Sequence, residues 1–430
     1  MYKNFISISL LFFIFVGCAT KEPYFSIEEL TKLEQNPKNY ISDELFLDKS
    51  LQFLISNEYK KTFFAPWHQY NMSHSKEAAM WAFSYKDRAV YGENHRLLTK
   101  QWFEELINNA NFEEYDSKKQ KAITISNSSL RALPTKSVLF YNPKSAGEGF
   151  PFDYNQNSAI YINTPLYVSH FSKDGLWAFV DSSVALGWIK MEDIAFVDDS
   201  LVEVFEKSPL FVNIKEHNIV KNEYFSHTDL KVGTLLPKID ENLAIVASYE
   251  DKSAKLVYIK DNSFIVPFPY GFDTQTIDQV SNEFLAEPYG WGGLYGHRDC
   301  SSMTRDFYAV FGIYLARNSS SQRKNGNYLD LKELNRNQKK EFIITYAKPW
   351  KSLLYLKGHI MIYIGSIDGE PLVFHNIWGI RTINKDKSSG RFIVGQAVIS
   401  DLLLGNQLNN VDKNRLLIDR VEGIVNLVDE

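Results

Sequence analysis

Apolar positions change their period more than once along this 430-residue chain. Between about residues 18 and 120 they recur at near-helical spacing. Phe46, Leu47, Leu51, Phe53 and Leu54 form one set, and Trp102, Phe103 and Leu106 another. Residues three and four apart share a helix face, so the stretch predicts helices, joined by aromatic loops such as 63–67. Ser26, followed by Glu28 and Glu29, offers an N-cap with an acidic first turn. From 121 to 200 short alternating runs take over. They predict strands at 159–162, 167–172, 176–180 and 187–189, with Asp174-Gly175 in a hairpin turn. Segments 131–135 and 149–153 lead into this unit. A second strand-rich unit covers 201–266, with strands expected at 201–205, 233–236, 243–247 and 256–259. Pro267-Phe268-Pro269 marks a boundary. Beyond it, Ile277, Val280 and Phe284 stripe a helix over 274–285. Met303, Phe307, Val310 and Phe311 stripe another over 300–315. Strands follow at 359–364, 371–375, 379–383 and 392–397.

Composition narrows the function classes. Hydrophobic content of 44% and aromatic content of 14% are ample for several cores. The net charge of −5 comes without a basic block, which argues against nucleic acid as a partner. No Cys/His cluster has zinc-ligand spacing, and no metal or cofactor is expected. The N-terminus starts basic and is apolar over 5–17 apart from Ser7 and Ser9. That run falls short of the roughly 20 residues a membrane span needs, and it fits a signal-peptide core. Phe15-Val16-Gly17-Cys18-Ala19 looks like a bacterial lipobox. The expectation is removal of 1–17, a lipid on Cys18, and a periplasmic protein held at the envelope membrane. Ala19 favours the outer membrane.

The chain has two cysteines, so with Cys18 lipidated the body holds one thiol, Cys300, and no internal disulfide. Cys300 follows Tyr-Gly-Trp-Gly-Gly and opens a predicted helix, whose dipole favours thiolate. A thiol nucleophile needs a base and a group that orients the base. His359 begins one predicted strand and His375 ends the next, joined by a hairpin turn over 366–370. On one face of a sheet the two could meet, one as base and the other as orienter. His297 lies nearer in sequence but sits in a Gly-His-Arg loop and reads as a solvated residue.

These residues carry two resemblances. The strands, Asp-Gly turn, Trp177, Phe179 and Gly187-Trp188-Ile189 resemble a bacterial SH3 barrel. Pro288-Tyr289-Gly290-Trp291-Gly292-Gly293, Asp299-Cys300-Ser301, the Gly358–Gly365 strand and Phe374-His375 resemble the NlpC/P60 cysteine peptidases. The layout is similar to their subgroup with a helical stabilising domain and two bacterial SH3 domains. The resemblance implies a multidomain α+β protein: a helical N-terminal domain over 18–120, SH3-like barrels over 121–200 and 201–266, and a papain-like catalytic domain over 267–430. It implies Cys300 as nucleophile, His359 as general base and His375 as orienting residue. It further implies that Tyr289 and Trp291 line the cleft and that Asp299 and Ser301 contact substrate. Arg317-Asn318-Ser319 stands where relatives read Arg-Asp-Ser, whose acidic residue helps hold a free substrate amine; Asn318 is neutral. Ser302 replaces the more usual Gly. The implied reaction is cleavage of γ-D-glutamyl-diamino acid bonds in peptidoglycan stem peptides or muropeptides. A wall-binding lipoprotein without hydrolysis, or an amidase or acyltransferase on the same fold, are the alternatives. The first barrel is expected to wall the cleft, with Asp153 contributing.

Overall fold

The computed structural model describes residues 27–224, 226–260 and 263–428. The leader over 1–17, Cys18 and the Ser26 cap lie outside the described residues. Among the described residues no helix is long and apolar enough to cross a membrane.

The N-terminal segment is built from helices. Asp48 accepts from the amides of Ser50 and Leu51 and starts Lys49–Phe64; Thr99 caps Lys100–Asn109 in the same way. The first of these helices does not dock through Phe53 and Leu54, which are exposed. Its buried face carries Gln52 and Ser56. Gln52 Nε2 donates to the carbonyls of Tyr270 (2.7 Å) and Phe311 (3.0 Å), so a polar side chain satisfies backbone of the C-terminal part that would otherwise be buried unpaired.

The first β unit is a seven-stranded antiparallel sheet that runs Gln156–Ile160, Ser128–Arg131, Gly187–Lys190, Trp177–Ser182, Pro165–Phe171, Gln120–Thr124 and Ile194–Phe196. Leu130, Leu166, Val168, Val180 and Ile189 fill its interior. On the other side Trp177, Phe179 and Trp188 pack against Ala110 and Phe112 of the helical segment. Next comes a correction to the sequence reading: residues 201–205 are not a strand but part of the helix Asp199–Lys207, capped by Asp198. Leu201, Val202 and Phe205 are its buried residues, and spacing of one and four is a helix face. The second β unit is a five-stranded sheet, Ala254–Ile259, Asn242–Ser248, Leu235–Ile239, Leu210–Asn213 and Ile265–Pro267, with a separate two-stranded ribbon.

The C-terminal part packs two helices on a six-stranded antiparallel sheet. Thr274–Phe284 begins with an Asp273/Thr276 capping box and Cys300–Val310 with an Asp299/Ser302 one. The second helix stops at Val310, short of 315. Gly312 has φ +75°, and a Cβ there would lie 2.6 Å from that of Ser56, so the chain turns where the N-terminal helix docks. The sheet order is Asn327–Asp330, Val421–Asn426, Ser352–Leu356, His359–Ile367, Glu370–Ile383, Ser389–Asp401. The stretches 371–375 and 379–383 are one strand, with a register shift between Ile377 and Gly379. Met303, Phe307 and Val310 bury against Ile360, Ile362, Phe374 and Ile399, which fixes the helix start over the sheet.

Candidate active site

The helix start holds Cys300 against the sheet. Cys300 is buried, and the backbone N–H groups of Ile360 and Ser301 face its sulfur. Ile360 directly follows His359, so the sulfur sits at the beginning of the histidine strand. His359 Nε2 lies 2.8 Å from His375 Nδ1, across the paired strands. His375 Nε2 lies 3.0 Å from Ser400 Oγ, and that hydroxyl donates to the Asp401 carbonyl at 2.8 Å.

This chain of contacts fixes both tautomers. The Ser400 hydrogen is committed to a carbonyl, so its oxygen accepts from His375 Nε2–H. His375 Nδ1 is then the acceptor for His359 Nε2–H. The basic atom left on His359 is Nδ1. Ser400 was not picked out from the sequence. It lies two residues beyond Val398, the register partner of His375, and therefore on the same sheet face. A hydroxyl inside the apolar run Val398-Ile399-Ser400 was the available signal.

The electrostatics correct the expectation of a resting thiolate. Burial, reinforced by the charge of Asp299, pushes the Cys300 thiol up to about 12, against the help of the Ile360 amide. Burial, with Arg420 adding to it, lowers His359 to about 3. Burial also holds His375 well below the ordinary range. Near neutral pH the resting pair is thiol and imidazole.

Asp299 is anchored on every side. It accepts from Arg317 Nη2 (2.8 Å), the Gly292 amide (3.1 Å), Ser301 Oγ (3.0 Å) and the Ser302 amide (2.8 Å). Burial opposes its charge, but Arg317 and these bonds hold it at about 2. Arg317 was missed as a site residue. Its Nη1 also donates to Ser301 Oγ (3.0 Å), and its Nε reaches Ser158 Oγ of the first β unit (2.7 Å). Nothing in the spacing of Arg317, Asp299 and Ser158 signals that they meet. Asn318 caps the short helix Ser319–Gln322 by accepting from the Ser321 amide (2.9 Å). Its side-chain oxygen is therefore already engaged.

A cleft of about 610 Å³ opens over Cys300. Tyr289, Trp291, Asp299, Ser301, Asn318 and Ser319 line it from the catalytic domain, Tyr154 and Gln156 from the first β unit, and Trp81 and Tyr85 from the helical segment. Tyr289 stacks near Trp378 (5.9 Å between ring centroids), and burial holds its phenol protonated. Trp291 packs on Phe152 (5.2 Å) and Tyr154 (5.9 Å). The glycines of the Trp-Gly-Gly run admit the first β unit at close range. A Cβ on Gly292 would lie 2.4 Å from the Gln156 carbonyl oxygen, and one on Gly293 2.4 Å from the Ala159 Cβ. Asp153 does not join the cleft wall. It is fully buried and pairs with Arg131 at 2.9 Å. His297 is half-buried rather than solvated, and burial lowers its pKa. Glu216, His217 and Glu287 could present ligand atoms within 4.8 Å of one another, but Lys231 Nζ stands 2.8 Å from Glu216 and supplies the cation there.

Comparison with known proteins assigns three stretches of the chain. The model of the NlpC/P60 family matches residues 286–393, which carry Cys300, His359 and His375. Residues 286–393 therefore form an NlpC/P60 domain. An N-terminal NlpC/P60 stabilising domain matches 6–115, and an SH3 domain of the SH3b1 type matches 139–190. An NlpC/P60 endopeptidase from Photobacterium damselae subsp. piscicida has the same fold, with TM-score 0.85 over 92% of this chain and 97% of that one, at 22% identity. An NlpC/P60 family protein from Bacillus cereus ATCC 10987 is 15% identical, over 72% of this chain and all of its own, with TM-score 0.44. No curated protein matches the chain. Members of the NlpC/P60 family are cysteine-type peptidases, and the family together with the SH3 domain points to the bacterial cell wall.

Proposed function

We propose that the protein hydrolyses cell-wall stem peptides at γ-D-glutamyl-diamino acid bonds, with Cys300 as nucleophile, His359 as base and His375 as orienting group. The observation that carries this reading is the directed chain His359–His375–Ser400, which leaves His359 Nδ1 as a lone pair beside the strand start that meets Cys300. In the first step Cys300 transfers its proton to His359 Nδ1 and the sulfur adds to the scissile carbonyl. The amides of Cys300 and Ser301, which the Asp299 cap does not engage, are suited to the developing oxyanion. Protonated His359 then gives its proton to the departing amine. Water, deprotonated by the same imidazole, cleaves the thioester.

Gln156, Tyr154 and the helical segment line the cleft together with the residues around Cys300. That supports action on short or terminal peptides rather than on long continuous strands. Asp299 is neutralised by Arg317, and Asn318 carries no charge. Selection for a free substrate amine by a carboxylate therefore has little support at these positions. The lipobox-like Cys18 supports a lipid-anchored envelope location, with the outer membrane favoured.

Digestion of purified muropeptides, followed by product mass, tests the reading. Wild type should release fragments ending in D-Glu, and Cys300→Ala none. Ser400→Ala should lower kcat several-fold with KM little changed, since it acts through His375. Equal cleavage by Cys300→Ala would end the reading.

A further inference from the structure

Beyond His359 the molecule gathers positive charge that no carboxylate pairs directly; Glu148 acts on Arg391 and Glu422 on Arg420 only from beyond ion-pair distance. Arg381 and Arg391 are register partners on neighbouring strands, so their side chains leave the same sheet face side by side. Like charges placed directly opposite are unfavourable. The loop that follows folds back on this strand: Thr382 bridges to Val411, and the Ile383 amide donates to the Asn410 carbonyl (2.7 Å). It delivers Arg415 to the same patch. Arg420 follows, its Nη2 directed at the Lys357 carbonyl (3.4 Å). Among the described residues, no carboxylate lies within ion-pair distance of Arg381, Arg391, Arg415 or Arg420. Burial, and then the mutual repulsion of these groups, lowers the pKa of Arg391 and Arg420. Such an arrangement is stabilised when an anion binds.

The patch has a concavity of about 330 Å³, lined by Lys357, Arg415 and Arg420 among others. Of the two acids that line it, Asp419 is already held by Arg336 through two bonds (2.8 and 2.9 Å), and Glu422 makes no ion pair with Arg415 or Arg420 among the described residues. Gly358 lines the active-site cleft, and its neighbour Lys357 lines this concavity. Adjacent residues of the Lys357–Gly358 turn therefore line the two depressions. One end of the path, at Asp299 and Arg317, has its charges cancelled. The other end is cationic.

We propose that the Arg415/Arg420 concavity binds a free carboxylate on the leaving, amine-side fragment of the substrate, so that the protein selects peptides acidic beyond the scissile bond. This rests on the reading of Cys300 as the reaction centre, which sets the path of the peptide. The occupant fits the chemistry of the site: a planar carboxylate takes two guanidinium N–H donors at once.

The test uses stem-type peptides that differ only in a free or an amidated carboxyl on the residue after the scissile bond. Affinity is measured with full-length Cys300→Ala and turnover with the otherwise unaltered chain. The acid peptide should bind roughly tenfold tighter than the amide. In Arg415→Gln/Arg420→Gln that preference should vanish, with the gap in KM closing in the same way. The single Arg415→Gln variant, checked for an unchanged melting temperature, guards against misfolding and should close part of the gap. Equal affinity for acid and amide peptides would overturn the proposal. So would a preference that survives in the double variant. Equal affinity combined with arginine-dependent binding to phosphatidylglycerol vesicles would also overturn it, and would assign the patch to a membrane surface. Loss of turnover on both peptides while the binding preference persists would count against the reaction reading, and the carboxylate site would stand.

Discussion

The two β units meet the catalytic domain in different ways. The first touches the cleft itself. Gln156 Nε2 donates to the Gly292 carbonyl (3.1 Å), Ser158 holds Arg317, and Tyr161 donates to Asp306 (2.8 Å). The second reaches the site from behind, through charge. Its Glu216 pairs with Arg298 (2.9 Å) and Lys231 (2.8 Å), and Arg298 also pairs with Asp306 (2.7 Å). Arg298 is almost fully buried and directly precedes Asp299-Cys300. One unit therefore lines the cleft, and the other holds the loop that carries Cys300. Two neighbouring strand-rich modules thus meet the Cys300 region through separate sets of contacts.

The largest expected effect breaks the second unit's hold. Glu216→Gln leaves Arg298 and Lys231 buried with one carboxylate fewer, and should cost about 3–5 kcal/mol in a urea unfolding series. A loss below about 1 kcal/mol would mean that the buried pair does not anchor the loop.

Acid should separate the two units next. Burial lowers His170, in the first unit, to about 4 from an ordinary 6.5. The unfolded chain then binds its proton first, so stability falls between pH 6.5 and about 4, by about 2–3 kcal/mol from this group. His359 and His375 act in the same direction. Burial works against the charge of Glu216, but Arg298 holds it at about 2, so its contribution persists until the pH falls below 4.5. His170→Gln should flatten part of the slope between pH 6.5 and 4. An unchanged slope would show that His170 does not titrate with folding.

The smallest effect isolates the first unit's role at the cleft. Gln156→Ala should raise KM for muropeptides about five- to tenfold, since one buried bond to the substrate loop is lost. The melting temperature should fall by only a few degrees. A stability loss as large as that of Glu216→Gln, with KM unchanged, would erase the distinction between the two units.

Much of this organisation was legible in the sequence because single residues carried it. The Trp-Gly-Gly run marked a loop at the cleft, and the structure adds that its glycines are needed against Gln156 and Ala159. Cys300, His359 and His375 stood out by residue type and by the short hairpin between the two strands. What stayed hidden depends on pairing between distant segments. Arg317 meets Ser158 across 159 positions, and Ser400 meets His375 through strand register. The 201–205 run was misread because five apolar-rich residues fit either period until the Asp198 cap and the burial of Leu201, Val202 and Phe205 decide for a helix. Asp153 looked available as a charge, yet its partner Arg131 lies 22 residues earlier and takes it out of the cleft. The resting thiolate failed for a related reason. Helix position was visible in the sequence, while the depth of burial that outweighs it was not.

The most direct measurement of the central claim is the intact mass of the protein quenched during turnover of a muropeptide. A thioester at Cys300 predicts an adduct equal to the acyl fragment, gained with loss of the amine fragment, and mapped to the peptide that contains Cys300. His375→Ala should accumulate it more slowly, because the base is no longer oriented. Turnover with no adduct on Cys300, together with undiminished cleavage by Cys300→Ala, would contradict the account.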